Sequence, residues 1–245
     1  MSVQIVTPEA GYHNSDLANS RNRLLRGQSY KDLSTICVIP TRGQVHMRVL
    51  MSWWSMMTPM NQKFIRLPVV GTEVGEAYNN SVIHILQDSY LSGYKYLLTL
   101  EEDNMPPPDG LLKLFESING KIDGNKYDAV GGLYWTKGPG GQPMIYGDPM
   151  DPPLNFRPQV PIIDSVQRCC GLGMGFTLFR LDMFRDERIV QPWFKTEQSY
   201  TPGVGARSYT QDLRFFELAG GWGYKFACDT RVKVGHYDAE SDLVW

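Results

Sequence analysis

No stretch of this 245-residue chain approaches 18 uninterrupted apolar residues, so the sequence predicts no membrane-spanning helix. Its formal net charge is only -2, which leaves no overall basic field to hold nucleic acid non-specifically, though a local basic patch stays open. Cysteine is sparse and unpatterned: Cys37, Cys169, Cys170 and Cys228 lack CxxC spacing, and the adjacent Cys169 and Cys170 are poorly placed to pair with each other. The reading is reduced, buried thiols and no zinc site. The opening MSVQIVTPEAGYHNSD has no charged stretch followed by an apolar one, so the expectation is an unsecreted, cytoplasmic protein without a membrane partner. Internal repeats and low-complexity tracts are also missing.

What is present is an ordinary globular composition, 42% hydrophobic and 20% charged, long enough to bury a substantial core. Residues 12–33 are polar and rich in Asn, Arg and Ser, which predicts an N-terminal extension over 1–33 and one domain over 34–245. ICVIP (36–40) reads as a strand, and Met47, Leu50, Met51, Trp54 and Met57 then recur at helical spacing. FIRLPVV (64–70) reads as a second strand; Val74, Tyr78, Val82, Ile85 and Leu86 mark a second helix, closed by Gly93. After the strand YKYLLTL, Asp109 can cap a helix carrying Leu111, Leu114, Phe115 and Ile118, and YDAVGGLYW (127–135) is the fourth strand. Strands alternating with helices predict an α/β fold, a mainly parallel sheet with helices on both faces, and ligands beyond the carboxyl ends of its strands.

The most informative phrase is YKYLLTLEEDNMPPP (94–108), an apolar run ending in Glu101, Glu102 and Asp103. Three successive carboxylates repel unless a cation or a loop separates them. One reading is a divalent metal, Mn2+ or Mg2+, which binds through one or two carboxylates plus substrate phosphates. The other is a solvated turn before the next helix. Thr41, Arg42 and Gly43 also fall at a strand end, so the two segments could share one crevice.

From 136 to 164 the pattern dissolves into glycine and proline, a connection long enough to be functional or mobile. GLGMGFTLFR (171–180) resumes as a strand; its glycines lead into a strand rather than opening a helix, which excludes a dinucleotide fingerprint. After a loop over 196–207, Thr210 can cap a short helix with Asp212 in its first turn, where the helix dipole favours an acidic residue in any case. TRVKVGHYD (230–238) alternates, placing Thr230, Val232, Val234 and His236 on one face, so His236 is either a ligand or a core histidine bonded to a carbonyl.

In order, ICVIPTRG, VGEAYNN, YLLTLEEDNMPP, GLGMGFTLFR, TQDLRFFELAGGWGYKF and VKVGH resemble the motif succession of GT-A glycosyltransferases, particularly family-2-like members, over about 35–238. The compact length is similar to bacteriophage-encoded members. The resemblance implies a single GT-A domain in which Pro40, Thr41 and Arg42 line the nucleobase and ribose site of a nucleotide-sugar donor, by family frequency a UDP-sugar. Gly75, Ala77 and Asn79 match the helix under the donor, with Asn79 as its donor contact, whereas the residues taken alone favour simple packing there. Glu101, Glu102 and Asp103 match the metal motif, with Glu where Asp is commoner. Asp103 is the firmer ligand, Glu101 reaches ribose or metal, and His236 completes the site. Asp212 matches the general base of inverting relatives, and Trp222 can face a sugar.

Under that resemblance the loop over 196–207 closes on the bound donor, and the location is the host cytoplasm if the chain is phage-encoded. The acceptor is a hydroxymethylated pyrimidine in DNA, with Arg157, Arg168, Lys195 and Arg207 on its phosphates, or a glycan or protein hydroxyl. Two other classes fit parts of the pattern: a nucleotidyltransferase, for which TRGQVHMR is a poor phosphate loop, and a noncatalytic sugar- or nucleotide-binding module.

Overall fold

A computed structural model describes residues 31–201 and 205–245, with the backbone alone described over 197–201 and 205–209. The core is a seven-stranded sheet seeded by β1 (Thr35–Thr41), whose residues alternate sides: Ile36 and Val38 pack on one face, Cys37 and Ile39 on the other, all nearly or wholly out of solvent. β2 (Phe64–Val70) pairs with β1 in parallel and forms one edge, where Pro68 can lack an N–H without breaking the ladder. On its other side β1 pairs in parallel with β3 (Tyr96–Leu100).

Beyond β3 come β9 (Phe176–Arg180), β5 (Ala129–Leu133), β12 (Phe226–Lys233) and β7 (Val166–Cys169). β9 runs antiparallel between β3 and β5, and β7 runs antiparallel to β12 at the far edge; the other five strands share one direction. The sheet is therefore mainly parallel. The expected continuous strand over 171–180 is broken, because residues 171–172 pair elsewhere as β8 (Gly171–Leu172) with β6 (Ile145–Tyr146) inside the glycine- and proline-rich connection.

Helices cover both faces, as the alternating pattern predicts. α2 (Val74–Gln87) and α4 (Gln211–Gly221) pack Tyr78, Val82, Ile85, Phe215 and Phe216 on one face. α1 (Met47–Ser55) and α3 (Gly110–Ile118) pack Val49, Trp53, Leu111, Leu114, Phe115 and Ile118 on the other.

Three local expectations fail for identifiable reasons. α1 buries Val49, Ser52 and Trp53 rather than the stripe of Met47, Met51 and Trp54, which are 61%, 45% and 66% exposed. Polar anchors set its rotation: the Trp53 indole N–H donates to the Asn104 carbonyl and the Ser52 hydroxyl to the Pro106 carbonyl, both at 2.9 Å. α2 stops at Gln87, well before Gly93, because Asp88 ends it and turns its carboxylate onto the backbone N–H groups of Tyr90 and Leu91. The segment read as a loop over 196–207 is instead a two-stranded ladder, β10 (Glu197–Thr201) with β11 (Gly205–Tyr209). Residues 202–204 of that segment, and residues 1–30 of the expected N-terminal extension, lie outside the described residues.

All four cysteines are free thiols, three of them buried. Among the described residues no helix is long and apolar enough to cross a membrane.

Candidate active site

β3 leaves the sheet at Leu100, and Glu101, Glu102 and Asp103 then point to different neighbours. Glu102 is tied to the end of β1: its Oε2 accepts the Thr41 hydroxyl and the Arg42 backbone N–H, both at 2.8 Å, and its Oε1 accepts the Arg42 guanidinium. Burial pushes the Glu102 pKa up, but these bonds outweigh it and hold the group below the usual carboxylate range. The two strand ends thus meet as the sequence predicts. Glu102 spends its carboxylate on this junction, and Pro40, Thr41 and Arg42 run outward from it, Pro40 buried and Arg42 exposed.

Asp103 is placed by a small second sheet. β4 (Asn104–Met105) pairs antiparallel with β13 (Gly235–Asp238), which also pairs with β14 (Leu243–Val244). The register sets His236 opposite Asn104, and the Tyr237 N–H donates to the Asp103 carbonyl at 2.8 Å. Residues more than 130 positions apart therefore meet: His236 Nε2 lies 3.5 Å from Asp103 Oδ2. His236 Nδ1 is 2.7 Å from the Trp135 carbonyl, a contact that requires the proton on Nδ1 and turns Nε2 toward Asp103. The Tyr134 ring meets the imidazole edge-on at 5.6 Å.

A cation already stands on Asp103. Lys137 Nζ is 2.6 Å from the same Oδ2. Burial raises the Asp103 pKa, but hydrogen bonds from His236 and Lys137 and their charge bring it down to about 2. Glu101 behaves oppositely. Removal from water, joined by the nearby carboxylates of Asp103 and Asp212, pushes its pKa up to about 8.

Asp212 reaches this group from the first turn of α4, 5% exposed. Its Oδ1 accepts the Leu213 N–H at 2.9 Å and the Thr210 hydroxyl, so Thr210 bonds the acid instead of capping the helix as expected. Burial raises the Asp212 pKa despite these bonds. Gly75 helps place the helix start, since a Cβ there would lie 3.2 Å from the Gln211 Cβ.

Other expected contacts are placed elsewhere. The Asn79 carboxamide is committed to the Phe194 backbone, donating to its carbonyl and accepting its N–H at 3.1 Å, so it pins the segment before β10 and is not free for a donor. Trp222 ends α4 ten residues from Asp212, about 15 Å at the helical rise, and its ring carries the Arg188 guanidinium at 5.3 Å. It does not share the cleft with Asp212. Arg157, Arg168 and Lys195 are exposed, and the Arg207 side chain lies outside the described residues.

Lys137 and the Trp135 carbonyl are the contributors that sequence reasoning missed. The available signal was a lysine four residues beyond the carboxyl end of β5, where ligands of such sheets gather.

Among the described residues no group of three or more His, Cys, Asp or Glu side chains forms a metal cage. The Asp103 and His236 pair fits a different demand. Two ligand atoms 3.5 Å apart can both reach one ion at about 2.1 Å, leaving its other positions for substrate oxygens.

No protein-family model matches the chain, and no curated protein sequence matches it. Among solved structures, A197 from STIV superposes with a TM-score of 0.56 at 18% identity, covering 86% of this chain and 92% of that one. GalNAc-T7, solved with UDP, GalNAc and Mn2+, superposes with a TM-score of 0.54 at 11% identity over 85% of this chain and 44% of that one. At these identities the likeness shows a shared fold: the chain has a GT-A-like α/β domain.

Proposed function

We propose that the chain is a glycosyltransferase that moves a sugar from a nucleotide-sugar donor to an acceptor hydroxyl with the help of a divalent ion. The observation that carries this reading is the meeting of Asp103 and His236, 3.5 Å apart, beside the buried Asp212 at the carboxyl end of the sheet. The fold is shared with GalNAc-T7, which was solved with UDP and Mn2+. A uridine diphosphate donor and Mn2+ are the corresponding choices here.

Asp103 and His236 would hold the ion, with Glu101 on its open side. When bound, it offsets negative charge on the departing diphosphate. Pro40, Thr41 and Arg42 line the end of β1, where the nucleoside would lie, and Glu102 braces that end against β3. The acceptor oxygen bonds to the anomeric carbon as the bond from that carbon to the diphosphate oxygen breaks, and the nucleoside diphosphate leaves with the electron pair. Asp212 takes the acceptor proton. Burial raises its pKa, which makes it a stronger base than an exposed aspartate, and attack opposite the leaving group inverts the anomeric centre. The A197 neighbour is a protein of STIV. A hydroxymethylated pyrimidine in DNA remains the acceptor to test first, with exposed Arg157 and Arg168 available to phosphates.

A panel of nucleotide sugars with Mn2+, scored for nucleoside diphosphate release with and without acceptors, tests the reading. Asp103→Asn should lose turnover together with metal dependence, and Asp212→Asn should lose turnover while still binding donor. Release of pyrophosphate would identify nucleotidyl transfer. Donor binding without any release would identify a binding module, and either result rejects the proposal.

A further inference from the structure

We propose that Lys137 is a built-in counter-cation: it holds Asp103 in the substrate-free protein, competes with the divalent ion for that carboxylate, and transfers to the donor's phosphate oxygens when the ion enters. This rests on the reading of the site as metal- and nucleotide-binding.

The Lys137 ammonium and the His236 Nε2 face one and the same oxygen, Asp103 Oδ2, at 2.6 and 3.5 Å. A divalent ion bound there would share that oxygen with an ammonium, two cations on one anion, so the lysine must leave. It has somewhere to go. The nearest new anion in a loaded site is the diphosphate itself, and a lysine suits this role as a compact charge on a flexible four-carbon stem.

The backbone around Lys137 is built to stay put while the side chain moves. Trp135 forms a β-bridge with Pro143, the Thr136 N–H donates to the Gln142 carbonyl at 2.9 Å, and the Gln142 N–H donates to the Thr136 hydroxyl at 2.9 Å. Within this turn Gly138 and Gly140 have φ of 95° and 79°, which side chains rarely tolerate, and the Gly141 N–H donates to the Gly138 carbonyl. The Trp135 carbonyl of the same segment fixes the His236 tautomer. One turn thus prepares the imidazole as a ligand and supplies the cation that stands in for the ion. The Lys137 side chain is a third exposed, so its head is free to swing.

Such a device couples the two ligands. Without nucleotide, the ion must displace an ion pair and leave an ammonium without its partner. With nucleotide present, the displaced ammonium gains the phosphates, so each ligand strengthens the other by the same factor.

The test is Mn2+ binding by electron paramagnetic resonance on the full chain without nucleotide, followed by UDP binding at saturating Mn2+. It compares the native protein with Lys137→Met, Lys137→Arg and Asp103→Asn. Lys137→Met keeps the aliphatic stem and should bind Mn2+ alone about tenfold tighter, while binding UDP about tenfold more weakly and losing the mutual enhancement. Lys137→Arg keeps the charge and should retain the competition. Mn2+ affinity in Lys137→Met equal to or weaker than native, with Asp103→Asn still abolishing binding, overturns the role of Lys137 and leaves the metal site standing. Absence of Mn2+ binding in both native and Lys137→Met proteins overturns the two readings together.

Discussion

Replacing Glu101 with glutamine should stabilise the protein in alkaline solution, because the folded chain holds this carboxylate at a cost. Burial and the charges of Asp103 and Asp212 raise its pKa from 4.5 to about 8. Between those values the native state keeps a proton that the unfolded chain has released, so stability falls as pH rises through that window. Below it both states are protonated and there is no penalty; above it both are ionised and the penalty is complete. At about 1.4 kcal/mol per pH unit, the ceiling over this window is about 5 kcal/mol. Water reaching the half-buried side chain reduces this, to roughly 2–3 kcal/mol. Glutamine has the same shape and does not titrate. Glu101→Gln should therefore match the native protein near pH 4.5 and exceed it by that amount near pH 9. Urea denaturation followed by fluorescence in half-unit steps reads the difference directly. Parallel stability curves for the two proteins across the whole range would refute the placement of Glu101 out of water beside the carboxylates of Asp103 and Asp212.

Three further substitutions separate scaffold from site. Asp229→Ala should cost about 3 kcal/mol, lowering Tm by about 10 °C, because the fully buried carboxylate accepts Arg231 Nη2 at 2.7 Å and the Ser117 hydroxyl at 2.7 Å, and its loss leaves the half-buried Arg231 guanidinium with only Glu116, 3.4 Å away, as a counter-charge among the described residues; a drop below 3 °C in calorimetry would contradict this. Asn79→Ala should cost about 1–3 kcal/mol through the two Phe194 backbone groups it leaves unpaired, yet keep native donor affinity in calorimetric titration; a large loss of affinity with unchanged Tm would return Asn79 to the donor site. Trp222→Ala should leave the KM for donor and acceptor unchanged, since the indole sits at the far end of α4 against Arg188; a severalfold rise in either KM would place the sugar there after all.

The sheet was legible because its strands are apolar runs bounded by turns, and their order alternates with helical periodicity. β1 and β3 could be read from ICVIP and YLLTL, and their common direction from the helices between them. The reversal of β9 was not legible, since direction depends on where the connection over 134–175 crosses the sheet, and no local pattern records that. The rotation of α1 was misread for a related reason: hydrophobic periodicity counts apolar side chains, whereas two hydrogen bonds to the chain after β3 turned the helix by about one residue. At the site, the acidic triplet and His236 stood out by residue type, but the alternating strand expected over 230–238 is broken: β12 ends at Lys233, and His236 is placed by β13 of the small second sheet. Lys137 had no periodic context, being one charge in a loop of glycine and proline. Its partner became visible only through folding.

The division of labour within the triplet follows from geometry. Successive residues leaving a strand point to different sides, so three adjacent carboxylates cannot all converge on one cation. Glu102 turns toward β1, where a hydroxyl, a backbone N–H and a guanidinium absorb its charge. Asp103 turns toward β13 and meets an imidazole and an ammonium. Glu101 remains between Asp103 and Asp212 with its charge opposed by both, and Lys137 is the cation that moderates it. Drawing Lys137 away without supplying a cation would therefore raise the energy of Asp103 and Glu101 together. That energy favours entry of a divalent ion and its diphosphate as a unit, the order of assembly in which the site's charges are balanced at every stage.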